Sequence, residues 1–219
     1  MSLMRITVLI SGRGSNLAAL IAASQASDFK GAVTHVVSSK PDAAGLDIAR
    51  AHAVATSVVD HTRFATREAF DTSLVETTDA SEPDLVILAG FMRVLADGFV
   101  QHHADHMLNI HPSLLPAYPG LNTHRRALAD GARIHGCTVH FVTPAVDGGP
   151  IVAQATVPVR PDDDEATLAA RVLAEEHRLL PAAVRLFCAG RLVLHDGRVR
   201  RVDGPVPDGA LPTALPGAI

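Results

Sequence analysis

An alternation limits the fold of this chain more than any other feature: short apolar, β-branched runs take turns with stretches of helical period. Residues 5–10, 32–37, 56–59 and 84–89 have the texture of strands, and 16–26, 43–53 and 63–77 that of helices between them. The run 84–89, Asp-Leu-Val-Ile-Leu-Ala, lacks polar alternation, as expected of a strand covered on both faces. Such an order predicts a mostly parallel sheet flanked by helices. Apolar residues make up 47% of the chain and Trp is absent, so Ala, Val and Leu must fill the interior. Beyond about residue 100 the texture changes. Short strands are expected at 107–110, 136–142 and 151–157, separated by Pro- and Gly-rich turns, followed by a long helix over 164–189. The runs 192–194 and 198–202, split by Asp196-Gly197, predict a hairpin. Residues 203–219 hold four prolines and three glycines and read as an extended or disordered tail. The expected organisation is one domain over 1–202, with halves 1–100 and 101–202, and a tail 203–219.

Composition removes several classes of function. A net charge of −4 gives no electrostatic footprint for nucleic acid. No stretch approaches the roughly 20 apolar residues that span a bilayer. The apolar start at 4–10 stops at Ser11-Gly12, too early for a secretory leader. Cys137 and Cys188 are too few and too far apart for a disulfide scaffold, which suits a reducing cytoplasm. Among twelve histidines, His102 and His106 stand four apart with metal-ligand spacing, yet no Cys or His pair supports them, so a solvated helix end and no metal are expected. His124, His135 and His140 have no acid partner visible in the sequence.

The segment Ile10-Ser11-Gly12-Arg13-Gly14-Ser15-Asn16 sits where the first strand turns into the first helix. Glycines let a backbone approach a ligand, and a helix N-terminus offers unpaired N–H groups to a phosphate. A dinucleotide fingerprint needs a small residue at position 17 and an acid after the second strand; Leu17 and Ser38-Ser39-Lys40 stand there instead. A site for one phosphate monoester is the functional reading, and plain capping by Ser15 or Asn16 the bland one. The fold class is α/β: a Rossmann-like, mostly parallel central sheet with helices on both faces and an irregular C-terminal half.

Asn109-Ile110-His111, followed by Pro112-Ser113-Leu114-Leu115-Pro116 and answered by Asp147-Gly148-Gly149-Pro150, supplies an amide, an imidazole and a carboxylate. An amide can hold an oxyanion, an imidazole can move a proton near neutral pH, and a carboxylate can keep that imidazole charged. His111 follows directly on a strand that ends at Ile110, and ligands bind at such strand ends in open parallel sheets. Its bland reading is a buried histidine bonded to backbone; that of Asp147 is an ordinary turn.

The joined string resembles the folate-dependent formyltransferases, in which Asn, His and Asp have these roles. The resemblance covers about residues 5–200 and implies Asn109, His111 and Asp147 as catalytic. It implies Gly14, Ser15, Asn16 and Glu176 as substrate-binding, Glu176 lying on the apolar stripe Leu168, Val172, Leu179, Leu180, Phe187. Arg67, Met92, Arg93, Val94, Leu95 and Asn109 are implied to contact the folate. The alternative for Arg67 is a surface arginine paired with Asp71 four residues on. The implied reaction is formyl transfer from 10-formyltetrahydrofolate to the amine of 5-phosphoribosylglycinamide in purine synthesis, without metal or ATP, since no Walker-type Gly-Lys-Ser/Thr occurs. The expected partners are those two small molecules, with the chain a monomer or homodimer. A 10-formyltetrahydrofolate hydrolase would use the same trio on water but carries a regulatory domain ahead of it, and the first strand here starts at residue 5. A methionyl-tRNA formyltransferase would need a further C-terminal domain and a basic surface.

Overall fold

The computed structural model describes residues 3–195 and 197–202. Nine strands and six α-helices follow in order among them: β1 (Met4–Ile10), α1 (Ser15–Ser24), β2 (Gly31–Ser38), α2 (Gly45–Ala51), β3 (Ala55–Val58), α3 (Arg67–Asp79), β4 (Leu85–Leu88), α4 (Asp97–His102), β5 (Met107–His111), α5 (Thr123–Ala129), β6 (Ile134–Phe141), β7 (Ile151–Pro158), α6 (Glu165–Cys188), β8 (Leu192–His195) and β9 (Arg198–Arg201). The strand order is β3-β2-β1-β4-β5-β6-β7, with β8-β9 a separate hairpin. The pairs β1–β2, β1–β4, β2–β3 and β4–β5 are parallel, and β6–β7 is antiparallel. The fold is therefore the mostly parallel α/β class that the alternation predicts.

Two compact units divide the chain, Met1–Asn109 and Ile110–Ile219. In the first, β1 and β4 are apolar and closed to solvent: Ile6, Val8, Leu9, Leu85 and Ile87 have no exposed surface. Each such side chain contributes about 1.5–3 kcal/mol by leaving water. Leu17 and Leu20 of α1 and Leu46 of α2 complete this core. In the second, Val139, Phe141 and Val152 of β6 and β7 are buried, α6 packs on both strands with Phe187 near Phe141 at 6.3 Å between ring centroids, and its buried face carries Leu168, Val172, Leu180 and Val184. Asp164 starts α6 with a reciprocal capping box: its carboxylate accepts the Thr167 N–H at 2.8 Å, and the Thr167 hydroxyl oxygen accepts the Asp164 N–H at 2.9 Å.

Three local features depart from the sequence expectation. The helix expected over 63–77 begins at Arg67, because Thr66 is extended and its Oγ1 accepts the Ala69 N–H at 3.2 Å; a short 3-10 turn at His61–Arg63 precedes it. Helices α4 and α5, of 6 and 7 residues, are too short to show a period in the sequence. The expected tail 203–219 lies outside the described residues, as does Asp196 of the hairpin turn.

Candidate active site

In the first unit the order β2-β1-β4 makes a reversal of connection around β1, where open parallel sheets form a crevice beyond their strand ends. Ser11, just past β1, ties three strand ends together. Its N–H donates to the Gly90 carbonyl at 3.1 Å, its Oγ lies 2.7 Å from Ser39 Oγ, and that same Oγ accepts the Met92 N–H at 2.8 Å. Gly14 caps α1 at φ 74° and, as a glycine, supplies no side-chain cap to the first N–H groups of α1. The bland reading of Ser15 or Asn16 as the cap is corrected: both are inside the helix. Gly14 also has a packing role, since a Cβ there would meet the Gly45 Cα at 2.5 Å. Gly12 has open space around it. Arg13 is exposed, Ser15 half-buried and Asn16 buried.

After β4, Met92 and Val94 expose 60% and 59% of their surface, a large apolar exposure for side chains held on a bonded loop, while Leu95 is buried. Arg93 is exposed and its Nε donates to the Met92 carbonyl at 2.8 Å. Arg67 reaches this loop, donating to the Leu95 carbonyl, and its Nε stands 3.5 Å from Asp71 Oδ2. The pairing with Asp71 is thus present. Asp71 is 5% exposed, and burial pushes its carboxyl above the ordinary range against the pull of Arg67.

In the second unit His111 ends β5, 7% exposed. Asn109, two residues earlier on the same strand, projects to the same face by the strand period and is half-buried. The His111 Nε2 donates to the Tyr118 carbonyl at 3.0 Å, because a carbonyl can only accept. Its Nδ1 stands 3.4 Å from Asp147 Oδ2. Both ring nitrogens of His111 therefore face acceptors. The residues that complete this arrangement carry no sequence signal. Tyr118 lies in a left-handed turn (φ 55°) beyond the cis Leu115-Pro116 bond, and Gly120 N–H donates to Asp147 Oδ2 at 2.7 Å. Asp147 itself sits at φ 52° in the turn closed by Gly148 N–H on the Ala145 carbonyl. Gly149 is required there, since a Cβ would lie 1.9 Å from the Phe141 carbonyl oxygen. The turn is real, and it aims a carboxylate.

Asp147 faces a second imidazole that the sequence did not single out. His140 Nε2 is 3.7 Å from Oδ1, while His140 Nδ1 donates to the Phe141 carbonyl at 2.8 Å. One carboxylate can neutralise one imidazolium, and His140, 2% exposed, is held below its ordinary value by burial. Glu176 is buried on α6 among apolar neighbours, as its helical position predicts. Burial, reinforced by the charges of Glu176 and Glu175, pushes the Cys137 thiol up to about 12, which leaves that thiol unreactive.

Burial lowers the pKa of six described histidines: His35, His103, His124, His135, His140 and His177. His135, with His124 Nδ1 at 3.2 Å from its Nε2, falls from 6.5 to about 4. Unfolded imidazoles bind a proton at about 6.5 while the folded ones resist, so the unfolded chain binds more protons in between. Stability is complete above about pH 6.5 and falls as the pH drops toward 4. We expect the melting temperature to decline between about pH 7.5 and 5, His135 alone contributing about 1–2 kcal/mol. In His135→Gln the decline should be visibly shallower; parallel curves would remove His135 from the effect.

The chain belongs to the formyl transferase family, whose pattern it matches over residues 4–184. Phosphoribosylglycinamide formyltransferase of Escherichia coli (strain K12) is 50% identical over 193 residues, which are 88% of this chain and 91% of that protein. The trifunctional purine biosynthetic protein adenosine-3 of Homo sapiens is 44% identical over 190 residues, 87% of this chain but 19% of its own length. A crystal structure of glycinamide ribonucleotide transformylase 1 from Symbiobacterium toebii matches with a TM-score of 0.89 at 47% identity, covering 92% of this chain and 95% of that one. No described helix is long and apolar enough to cross a membrane.

Proposed function

We propose that this chain transfers the formyl group of 10-formyltetrahydrofolate to the amine of 5-phosphoribosylglycinamide, a cytoplasmic step of purine synthesis. The observation that carries this reading is His111, buried with an acceptor at each ring nitrogen, in a chain half identical to a phosphoribosylglycinamide formyltransferase. The amine attacks the formyl carbon, and the carbonyl electrons move onto oxygen. The Asn109 amide and the charged His111 hold that oxyanion; to do so, His111 Nε2 exchanges the Tyr118 carbonyl for the developing anion. The intermediate collapses with loss of the folate N10, which gains a proton as the amine loses one, His111 or a held water carrying it.

Gly14, Ser15 and Asn16 take the substrate phosphate on the N–H groups that start α1, and Glu176 binds the ribonucleotide. The exposed apolar chains Met92 and Val94, with Arg93 and Leu95, receive the flat pterin, a fit in keeping with an otherwise costly apolar exposure. Arg67 takes the acidic end of the folate, trading its Asp71 contact for a ligand carboxylate. No step requires a metal or ATP.

A folate absorbance assay tests the reading. Turnover should depend on the phosphorylated amine, and Gly12→Val should raise the KM for that amine more than for the folate, because a Cβ at position 12 meets no atom of the fold within 4 Å and fills only the space beside the loop. Turnover without the amine would make the chain a hydrolase instead. Gly14→Val is unsuited to this test, since its Cβ collides with Gly45 whether or not a ligand binds.

A further inference from the structure

Among the described residues, one group outside the proposed reaction gathers three donor atoms. Asp79 ends α3, His102 ends α4, and His103 follows as its cap. Their ligating atoms all lie within 4.8 Å of one another. His102 Nε2 is 2.8 Å from Asp79 Oδ2, and His103 Nε2 is 3.7 Å from Asp79 Oδ1. His103 is 8% exposed, and its Nε2 is buried without a hydrogen-bond partner while pointing at that carboxylate. Phe99 at 4.8 Å and the edge of His102 at 4.7 Å between ring centroids fix its orientation. The i,i+4 partner suggested by spacing, His106, turns elsewhere and faces the Asp84 carbonyl with Nδ1 at 3.0 Å.

We propose that Asp79, His102 and His103 form a binding site for a divalent transition metal, zinc by their N,N,O donor set, pinning the C-terminal end of α3 to that of α4. Two ligands about 2.05 Å from a tetrahedral ion are roughly 3.4 Å apart, and the separations of 2.8 and 3.7 Å straddle this value. Two imidazoles and a carboxylate suit zinc, with water completing the shell. Little opposes the exchange. The His102–Asp79 pair is exposed at 50% and 42%, and exposed ion pairs contribute little to stability. The ion gives the buried His103 nitrogen its missing partner. The negative end of the α3 dipole favours a cation there.

The test uses the untagged full chain, stripped with a chelator and titrated with zinc against a chromogenic competitor, with cobalt as an optical substitute. One strong equivalent per chain is expected, with a melting temperature that rises with zinc concentration. Asp79→Asn and His102→Gln alter exposed side chains and should fold. Each should weaken zinc at least about tenfold, the loss typical even of outer-shell changes, while His106→Gln binds as the unaltered chain does. A strong equivalent that survives Asp79→Asn and His102→Gln, or the lack of any, overturns the site.

Discussion

Replacing His111 by alanine or by glutamine should lower kcat by roughly 10²–10⁴-fold and leave the KM of both substrates within a few-fold. The two variants separate chemistry from architecture. Alanine removes the partner of the Tyr118 carbonyl and leaves the Asp147 carboxylate, 11% exposed, without its nearest cation. That change costs stability as well as rate, because a buried charge has lost its compensation. Glutamine keeps an N–H donor at nearly the same reach, so it can still serve the Tyr118 carbonyl or Asp147, but it carries no charge and shuttles no proton. If both variants lose kcat alike while glutamine melts close to the unaltered chain, the loss belongs to the imidazolium. Near-normal kcat in the glutamine variant would remove His111 from the mechanism.

How much of this was legible in the sequence depended on the range of each interaction. The strands β1, β2 and β4 and the helix α6 announce themselves through periodicity, which is local. Glu176 was legible for the same reason: its place on the apolar stripe follows from the helical period alone. The string around Asn109, His111 and Asp147 was legible because it is a resemblance, which carries geometry that single residues lack. Tyr118, Gly120 and His140 were not legible. Tyr118 and Gly120 act through backbone atoms, which every residue possesses, so no side-chain type marks them. His140 differs from other strand histidines only in that a turn brings Asp147, seven residues later, toward it. Gly14 was legible as a glycine required by its place but not for its reason, since Gly45 lies 31 residues away and only the packing of α1 against α2 joins them. Arg67 needed the structure for the opposite purpose: the pairing with Asp71 is present, and the Leu95 carbonyl shares it.

Asp147→Asn should lower kcat near neutral pH while leaving the turn intact. The physical case rests on what asparagine keeps. It tolerates the left-handed conformation at φ 52°, and its side-chain oxygen can still accept the Gly120 N–H. What it loses is the charge: the oxygen kept on the Gly120 N–H is the one that faces His111 Nδ1, and the new NH₂ takes the place of Oδ1, toward His140 Nε2. The His111 ring then faces two neutral acceptors, the Tyr118 carbonyl and the amide oxygen, with no anion to hold the charge it carries in the reaction. At 3.4 Å and an effective dielectric of about 20, the lost attraction is about 5 kcal/mol before desolvation is set against it. The pH profile of kcat should therefore move to lower pH, and part of the rate should return on acidification. The window must stop above about pH 5, because protonation of the buried histidines weakens the fold progressively below about pH 6.5. Nitrogen chemical shifts of His111, followed by NMR in both proteins across this range, report the proton directly. If rate and titration are both unchanged, Asp147 only shapes its turn, and the charge on His111 has another source.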